Sequence, residues 1–551
     1  MEIGNYSNSV EAPAQSWWQR LTVADGLFVL VVLLGGVMRF VELGRIPLAN
    51  AEAELALSLW RFWQPGESAE IIINSPAYFT LTALLTQIFG FSDAVMRLVP
   101  ALFGLALLCL PWLLRQRLGN AGALVACTFL ALSPLNVILS RTVGGEAIAL
   151  FAVLLLVVTY VRYRDTAVSH WLYLAAAAVG LGLASAPLFY SGLVTLLITW
   201  GATRLFGLNL FPESKPPDST SKRTALLVGG AVFVAFSSFL LWNPAGLGGS
   251  AQILGTWLAQ LGGDGNGRTL AEPFLALVRY EPALFILGAA AVLWALWRTS
   301  VPGLALVYWL LAALILMLIQ PGIMENAALV TLPGYLLLGL LAGHVLDERP
   351  VTLMSWGVAA GLFLFFMLIL VNTGRFVRVV LFDPTEVQYL AMIVIAFALT
   401  AVLLYLLLTL DITAVTQGIL LGFLAFLVVI TWGTSWWLGH LAANDPRERW
   451  VQSSTDGDVR LMVDTLRMLS LQLSGSETDL EVASSVDTAV LRWYLRDFRR
   501  AQIGNTLPAA AGDVLITADE AEPALAASYS GADFGLTLSK QPPEAQSFTG
   551  E

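Results

Sequence analysis

Cysteine, histidine and charge are all scarce in this 551-residue chain, and each scarcity excludes something. The two cysteines, Cys109 and Cys127, both lie inside apolar runs, so neither a disulfide framework nor a cysteine-based metal site is on offer. Three histidines, His170, His344 and His440, are too far apart in sequence to suggest a metal cluster. Charged residues make up 12% of the chain and apolar residues 57%. Soluble domains carry about 25% charged residues, so a soluble globular protein is excluded. A basic surplus is also missing: the net charge is −10, and 17 acidic against 9 basic residues fall after residue 440. Nucleic acid is therefore excluded as a partner. There is no phosphate-cradling loop, no internal repeat and no matched pair of broken helices of the kind that points to a transporter.

What is present is a series of long apolar runs. A membrane core of ~30 Å needs roughly 17–25 such residues. Runs of this kind fall near 22–43, 96–114, 121–139, 147–163, 171–187, 190–208, 224–242, 281–297, 303–319, 327–346, 352–372, 387–410 and 413–437. The first has no A-x-A-like site after it and reads as a retained anchor. A fourteenth segment, "SPAYFTLTALLTQIFGF" (75–91), is short and carries Thr80, Thr82, Thr86 and Gln87. Whether it spans decides the side of everything after it. With 75–91 lying in the interface, 11 Lys and Arg residues face the cytoplasm and 9 face outward; with it spanning, the counts become 7 and 13. Lys and Arg are retained on the cytoplasmic side, which selects the first arrangement.

The sequence thus predicts an all-α polytopic protein of about thirteen transmembrane helices, multi-pass in a plasma membrane. Residues 1–21 form a cytoplasmic segment and 22–440 the membrane domain, with a long first outer loop at 44–95. Residues 441–551 form a small extracytoplasmic α/β domain. In it, "VRLMVDTLRMLSLQL" reads as an amphipathic helix, followed by strand ("DLEVASS"), helix ("VDTAVLRWYLRDFRR") and strand ("GDVLITADE"), with a disordered tail after about 538. Tryptophans at 17–18, 60, 63 and 436–437 read as interfacial anchors.

The outer side collects the polar groups that could do chemistry. Glu52 and Glu54 lie in "NAEAELALSLW", about 200° apart around an ideal helix and so on different faces. Arg141 and Glu146 flank the tight "RTVGGE" connection, where two glycines let backbone pack closely. A carboxylate at a membrane edge, partly desolvated and near a second acid, holds protons more tightly than a free one and makes a better base at neutral pH. Arg375 and Arg378, three apart, can share a helical face and grip a phosphate; Arg97 and Arg141 are the alternatives. Each of these groups also has an ordinary reading, as a solvated face or as a side chain reaching the lipid headgroups.

The order of these pieces resembles the GT-C fold membrane glycosyltransferases, and most closely the family 39 protein mannosyltransferase-like group with its bacterial and archaeal relatives. The resemblance rests on "SPAYFTLTALL", then "DAVMRLVPALFGLALL", then "LSPLNVILSR" with Glu146 shortly after, and covers about residues 20–165. It implies transfer of a sugar from a polyprenyl-phosphate donor to an acceptor hydroxyl of protein, lipid or glycan on the outer face. It implies an Asp-Glu pair in the first outer loop, the Asp serving as base. Here the pattern departs: Ala51 stands where the Asp belongs and Glu52 falls on the second acid. Of the two prolines expected in the following element, only Pro76 remains. Glu52, Glu54 and Glu146 are therefore the candidate catalytic acids, and Arg375, Arg378, Arg97 and Arg141 the candidate donor-phosphate ligands. With a monophosphate leaving group no cofactor is required, and no ligand cluster indicates a divalent metal. The rival readings are a catalytically degenerate relative that binds lipid-linked sugar or a partner, and a transporter. The near absence of charge inside the apolar runs argues against the transporter.

Overall fold

The computed structural model describes residues 22–64, 74–211, 217–261, 271–380, 388–451, 454–506, 512–518 and 530–538, with backbone alone at 245, 375–380 and 388–390. The predicted cytoplasmic segment and the tail after 538 lie outside the described residues. The chain begins with α1 (Val23–Phe40), α2 (Asn50–Phe62) and α3 (Pro76–Phe89). Next, α4 (Asp93–Cys109) continues through a tight 3₁₀ turn into α5 (Arg115–Leu118). Then come α6 (Asn120–Leu132), α7 (Pro134–Ser140), α8 (Glu146–Thr166), α9 (Ser169–Leu183), α10 (Pro187–Leu205) and α11 (Ser219–Ser237). The middle of the chain holds α12 (Ala245–Ala259), α13 (Ala271–Tyr280), α14 (Ala289–Arg298), α15 (Val301–Ile319) and α16 (Asn326–Leu346). The membrane part closes with α17 (Leu353–Val380), α18 (Gln388–Leu408) and α19 (Ile412–Trp436).

Nine of the described helical segments are long and apolar enough to cross a membrane, or eleven if two bent pairs each count as one span. The remaining two of the thirteen predicted spans fall short of that measure. One is α9, with 15 residues, and the other is α11, which opens on the polar run Ser-Thr-Ser-Lys-Arg-Thr. The α3 helix has 14 residues. At one end of the bundle, termed the loop end, α4, α8 and α16 begin and α1, α7 and α19 finish. A glycine pair spaced by three residues, Gly339 and Gly343, lets α16 lie directly on α6. A Cβ at Gly339 would meet the Gly122 carbonyl at 2.6 Å, and one at Gly343 the Leu118 carbonyl at 1.8 Å.

Both bent pairs are features that the apolar pattern does not reveal. The axis turns by 57° between α6 and α7 and by 98° between α13 and the helix that ends in α14. Breaking a helix in an apolar interior strands backbone groups. Pro134 has no N–H, so the Leu130 carbonyl loses its helical donor. Arg39, fully buried, supplies the replacement by donating to the Leu130 and Ala131 carbonyls at 3.1 and 2.9 Å. On the other side of the break, the Leu135 N–H donates to Glu281 Oε1 at 3.2 Å. Glu281 sits at the second bend and also accepts from the Ser133 and Tyr335 hydroxyls. The interior is therefore not free of ionisable groups, as the apolar runs suggest: a guanidinium and a carboxyl group flank one break, each placed where exposed backbone dipoles favour it.

The C-terminal part is α/β as predicted, with one strand more. It holds α20 (Asp458–Ser474), β1 (Glu481–Ser484), α21 (Ala489–Tyr494), β2 (Arg500–Ile503) and β3 (Val514–Ile516). The sheet is parallel, in the order β2-β1-β3. The predicted helix through residue 500 stops at Tyr494, and the chain turns at Phe498 to pair as β2. This part is not a separate body. Leu48, Ala53, Leu57, Tyr78 and Val99 share one buried cluster with Val463, Leu466, Leu480, Trp493 and Phe498. Asp93, at the start of α4, accepts from Trp493 Nε1 at 2.8 Å and from the Tyr494 hydroxyl at 2.6 Å.

Two outcomes follow. Glu281→Ala leaves two hydroxyl donors and one N–H donor without an acceptor in the interior, each costing about 1–3 kcal/mol. It should lower the unfolding temperature far more than Tyr335→Phe, where a loss of about 1–2 kcal/mol is expected; equal effects would contradict the assignment. At the domain junction, burial first and the Asp93 carboxylate second hold the Tyr494 hydroxyl above the usual tyrosine range. Its contribution is complete below about pH 10, the ordinary tyrosine value, and is lost as pH rises past it toward the folded value. Limited proteolysis should find the junction closed to about pH 10 and looser above; loosening at neutral pH would contradict this.

Candidate active site

The loop between α1 and α4 and the α7–α8 connection meet through one carboxylate. Glu52 lies in the first turn of α2, on the face that also buries Ala53, Ala56 and Leu59. Its Oε2 accepts from its own turn, the Ala49 N–H, at 3.0 Å, and from Arg97 Nη2 at 2.6 Å. Its Oε1 accepts from Arg97 Nε at 3.2 Å and from the Val143 N–H at 2.7 Å. Arg97 comes from α4, one turn below Asp93, and spends its other donors on the Leu43, Ile46 and Pro47 carbonyls at 3.3, 2.7 and 3.2 Å. Both groups are buried, and every charged atom has a partner. A buried pair survives only with such full satisfaction, because each ion has lost its water.

Glu54 points the other way, as the spacing predicts. It is exposed, accepts from Asn50 Nδ2 at 3.2 Å, and borders a cleft of about 490 Å³ between α2 and the C-terminal domain. Arg141 is engaged on backbone. Its Nε donates to the Gly439 carbonyl at 3.0 Å, and its Nη atoms to the Arg39, Val41 and Glu42 carbonyls at 3.1, 2.8 and 3.2 Å. It thereby closes the end of α1, whose last carbonyls have no helical donors. Arg97 and Arg141 thus have their donors committed inside the protein. Arg375 and Arg378 fall in the last turns of α17, and their side chains lie outside the described residues. The α17 backbone runs beside α19 in the same direction, with Gly418 against Ser355 and Gly422 against Ala359, so these turns reach the loop end.

Glu146 is different. It opens α8 directly after Gly144 and Gly145, and it is half-buried. A Cβ at Gly145 would sit 2.2 Å from Ser75 Oγ and 2.3 Å from the Ser185 carbonyl; one at Gly144 would sit 2.2 Å from Glu146 Oε2. Only glycine fits at either place: the Gly145 backbone lies against Ser75 and the α9–α10 turn, and the Glu146 carboxylate folds back over Gly144. Among the described residues no cation is paired with Glu146. The charge that acts on it is that of another acid, Glu325, from the turn before α16. The buried Tyr78 ring lies within electrostatic reach of both Glu146 and the Glu52–Arg97 pair. A half-buried carboxylate with no paired cation among the described residues, within electrostatic reach of a second acid, is suited to accepting a proton from a bound hydroxyl.

The structure therefore brings Glu52, Arg97 and the Glu146 turn together, and turns Glu54 away. Glu325 was not singled out in sequence: "QPGIMENA" signals only a loop. Asp93 was visible merely as one of several loop acids.

Comparison with known proteins agrees with this geometry. Residues 74–242 match the family described as dolichyl-phosphate-mannose-protein mannosyltransferase. ArnT from Cupriavidus metallidurans bound to undecaprenyl phosphate superposes with a TM-score of 0.52 at 16% identity, covering 87% of this chain and 86% of that one. Its apo state gives 0.54 at 16% identity, covering 86% and 85%. The chain has the GT-C glycosyltransferase fold. No curated protein matches it. The family match includes Arg97, Arg141 and Glu146 and begins after Glu52, so the first-loop acids stand outside it.

The different situations of the two α2 acids make a clear contrast. Glu52→Ala strands a buried guanidinium and should cost about 3–5 kcal/mol. Glu54→Ala, on the exposed face, should stay within about 0.5 kcal/mol. Chemical unfolding of both variants checks this, and similar losses would contradict it.

Proposed function

We propose that this chain is an inverting membrane glycosyltransferase that moves a sugar from a polyprenyl-phosphate donor to an acceptor hydroxyl at the loop end. The observation that carries the reading is Glu146: a half-buried carboxylate with no paired cation among the described residues, within electrostatic reach of Glu325, in a GT-C fold. In this scheme Glu146 takes the proton from the acceptor hydroxyl as its oxygen attacks the anomeric carbon. The bond from that carbon to the phosphate oxygen breaks on the opposite face, and polyprenyl phosphate leaves with the electron pair. Glu52, clamped on four donors, holds the turn that presents Glu146 and is not itself the base. Arg375 and Arg378 are the arginine pair proposed for the leaving phosphate, a role that fixed cations can fill without a metal. The solved ArnT structure with undecaprenyl phosphate supports a lipid phosphate of this class as carrier. The end opposite Glu146 carries Arg115, Arg117, Arg162, Arg164, Arg204 and Arg298, which supports a cytoplasmic placing of that end and an extracytoplasmic loop end.

A second reading has one specific observation in its favour. Ala51, exposed on the first turn of α2, stands where the resemblance calls for the base. A protein that keeps the fold for binding lipid-linked sugar, without turnover, accounts for that loss.

The test is release of free polyprenyl phosphate from radiolabelled polyprenyl-phosphate sugars by purified protein. Removing a general base typically lowers rate by about 10²–10⁴-fold, and Glu146→Gln should do so with donor binding retained. Unchanged turnover in this variant would overturn the assignment. Donor binding without turnover in the natural protein would favour the second reading.

A further inference from the structure

The segment that leads from α1 into α2 is gripped from two sides. From the membrane side, Arg97 holds the Leu43, Ile46 and Pro47 carbonyls. From the C-terminal domain, Arg460 donates to the Arg45 carbonyl at 2.6 Å and the Gly44 carbonyl at 2.7 Å. The Tyr494 hydroxyl accepts from the Leu48 N–H at 3.2 Å, and Thr455 Oγ1 donates to the Leu48 carbonyl at 2.7 Å. Asn50 Oδ1 accepts from the Ala489 N–H at 3.1 Å, tying the start of α2 to the start of α21. The two grips join on α4. Asp93 takes Arg460, Trp493 and Tyr494, and Arg97, four residues on and so on the same face, takes Glu52.

Four buried or partly buried charges thus alternate in sign along one path: Arg460, Asp93, Arg97 and Glu52. The path ends at the Val143 N–H, three residues before Glu146. Alternation leaves no charge uncompensated, so removing an outer member disturbs the next one inward.

We infer that the C-terminal domain is part of the active-site scaffold, with Arg460 and Tyr494 as positioning residues that fix the Glu146 turn through Asp93, the 43–48 segment and the Glu52–Arg97 pair. The inference rests on the reading of Glu146 as base, but its structural half stands apart from that reading. A displacement of about 1 Å at a base is enough to cost on the order of 100-fold in rate. In the proposed scheme the lipid phosphate is held by Arg375 and Arg378 on α17, so its binding is expected to be indifferent to the change.

The experiment uses the full chain in lipid nanodiscs with Tyr494→Phe, Arg460→Ala and Arg460→Lys. Two readouts are taken: amide hydrogen exchange, and the split between kcat and donor affinity for polyprenyl-phosphate sugar. Tyr494→Phe and Arg460→Ala should speed exchange at residues 43–52 and also at Val143–Glu146, and lower kcat by about 10–100-fold with donor affinity unchanged. Arg460→Lys, which keeps the charge on Asp93, should recover part of both. Exchange that rises only within 454–503, with Val143–Glu146 and kcat as in the natural protein, would overturn the inference. Tyr494→Phe deletes one oxygen and serves if Arg460→Ala does not fold. If the natural protein turns over no donor, the reading of Glu146 falls. The exchange at Val143–Glu146 then still decides whether the domain reaches that turn.

Discussion

The loop end of this protein depends on a buried ion pair. Without Glu52, Arg97 is left a buried cation with no anion while it holds the carbonyls after α1, α2 loses its charged tie to α4, and the α7–α8 turn loses the acceptor for its Val143 N–H. The pair is tolerated in a low-dielectric setting because neither partner has an idle atom. Glu52 takes two backbone N–H groups besides the guanidinium, and Arg97 gives its spare donors to three carbonyls. Its effect is conformational: it selects one arrangement of three separate stretches of chain.

Arginine is used in the same way elsewhere in the molecule. Arg39 and Arg141, like Arg97, donate to main-chain carbonyls rather than to an outside ligand. Each lies where a helix stops inside the protein and its last carbonyls would face apolar surroundings. A planar five-donor fork can close several such carbonyls at once, which lysine cannot. An arginine near the loop end is therefore weak evidence of a phosphate site until its donors have been accounted for.

This explains what could and could not be read from the sequence. The apolar runs mark the helices well, because length and hydropathy are local properties. The opposite facing of Glu52 and Glu54 follows from helical geometry alone. The employment of Arg97 and Arg141 was not legible, since their partners are carbonyls, which every residue carries and no letter distinguishes. The helix breaks were half legible: Pro134, and Glu281 before Pro282, are visible irregularities, but only the folded chain shows that they meet. β2 was missed because "RDFRR" continues a helical pattern until Phe498 turns the chain. Glu325 carries no local signature; its interest arises from acting electrostatically on Glu146.

The meeting of Glu281 with the α6–α7 break has a consequence for biogenesis. The break is synthesised and inserted when residues 120–140 leave the ribosome, whereas its acceptor arrives with residue 281 and its second hydroxyl partner with Tyr335. Until then the Leu135 N–H sits at a proline break in hydrocarbon with no protein acceptor from its final fold. The early helices can thread the bilayer in order, yet they cannot settle until the middle of the chain has followed. Assembly of the early helices is thus bound to the arrival of the chain through α16: the N-terminal part waits on Glu281 and Tyr335 to seal its own backbone.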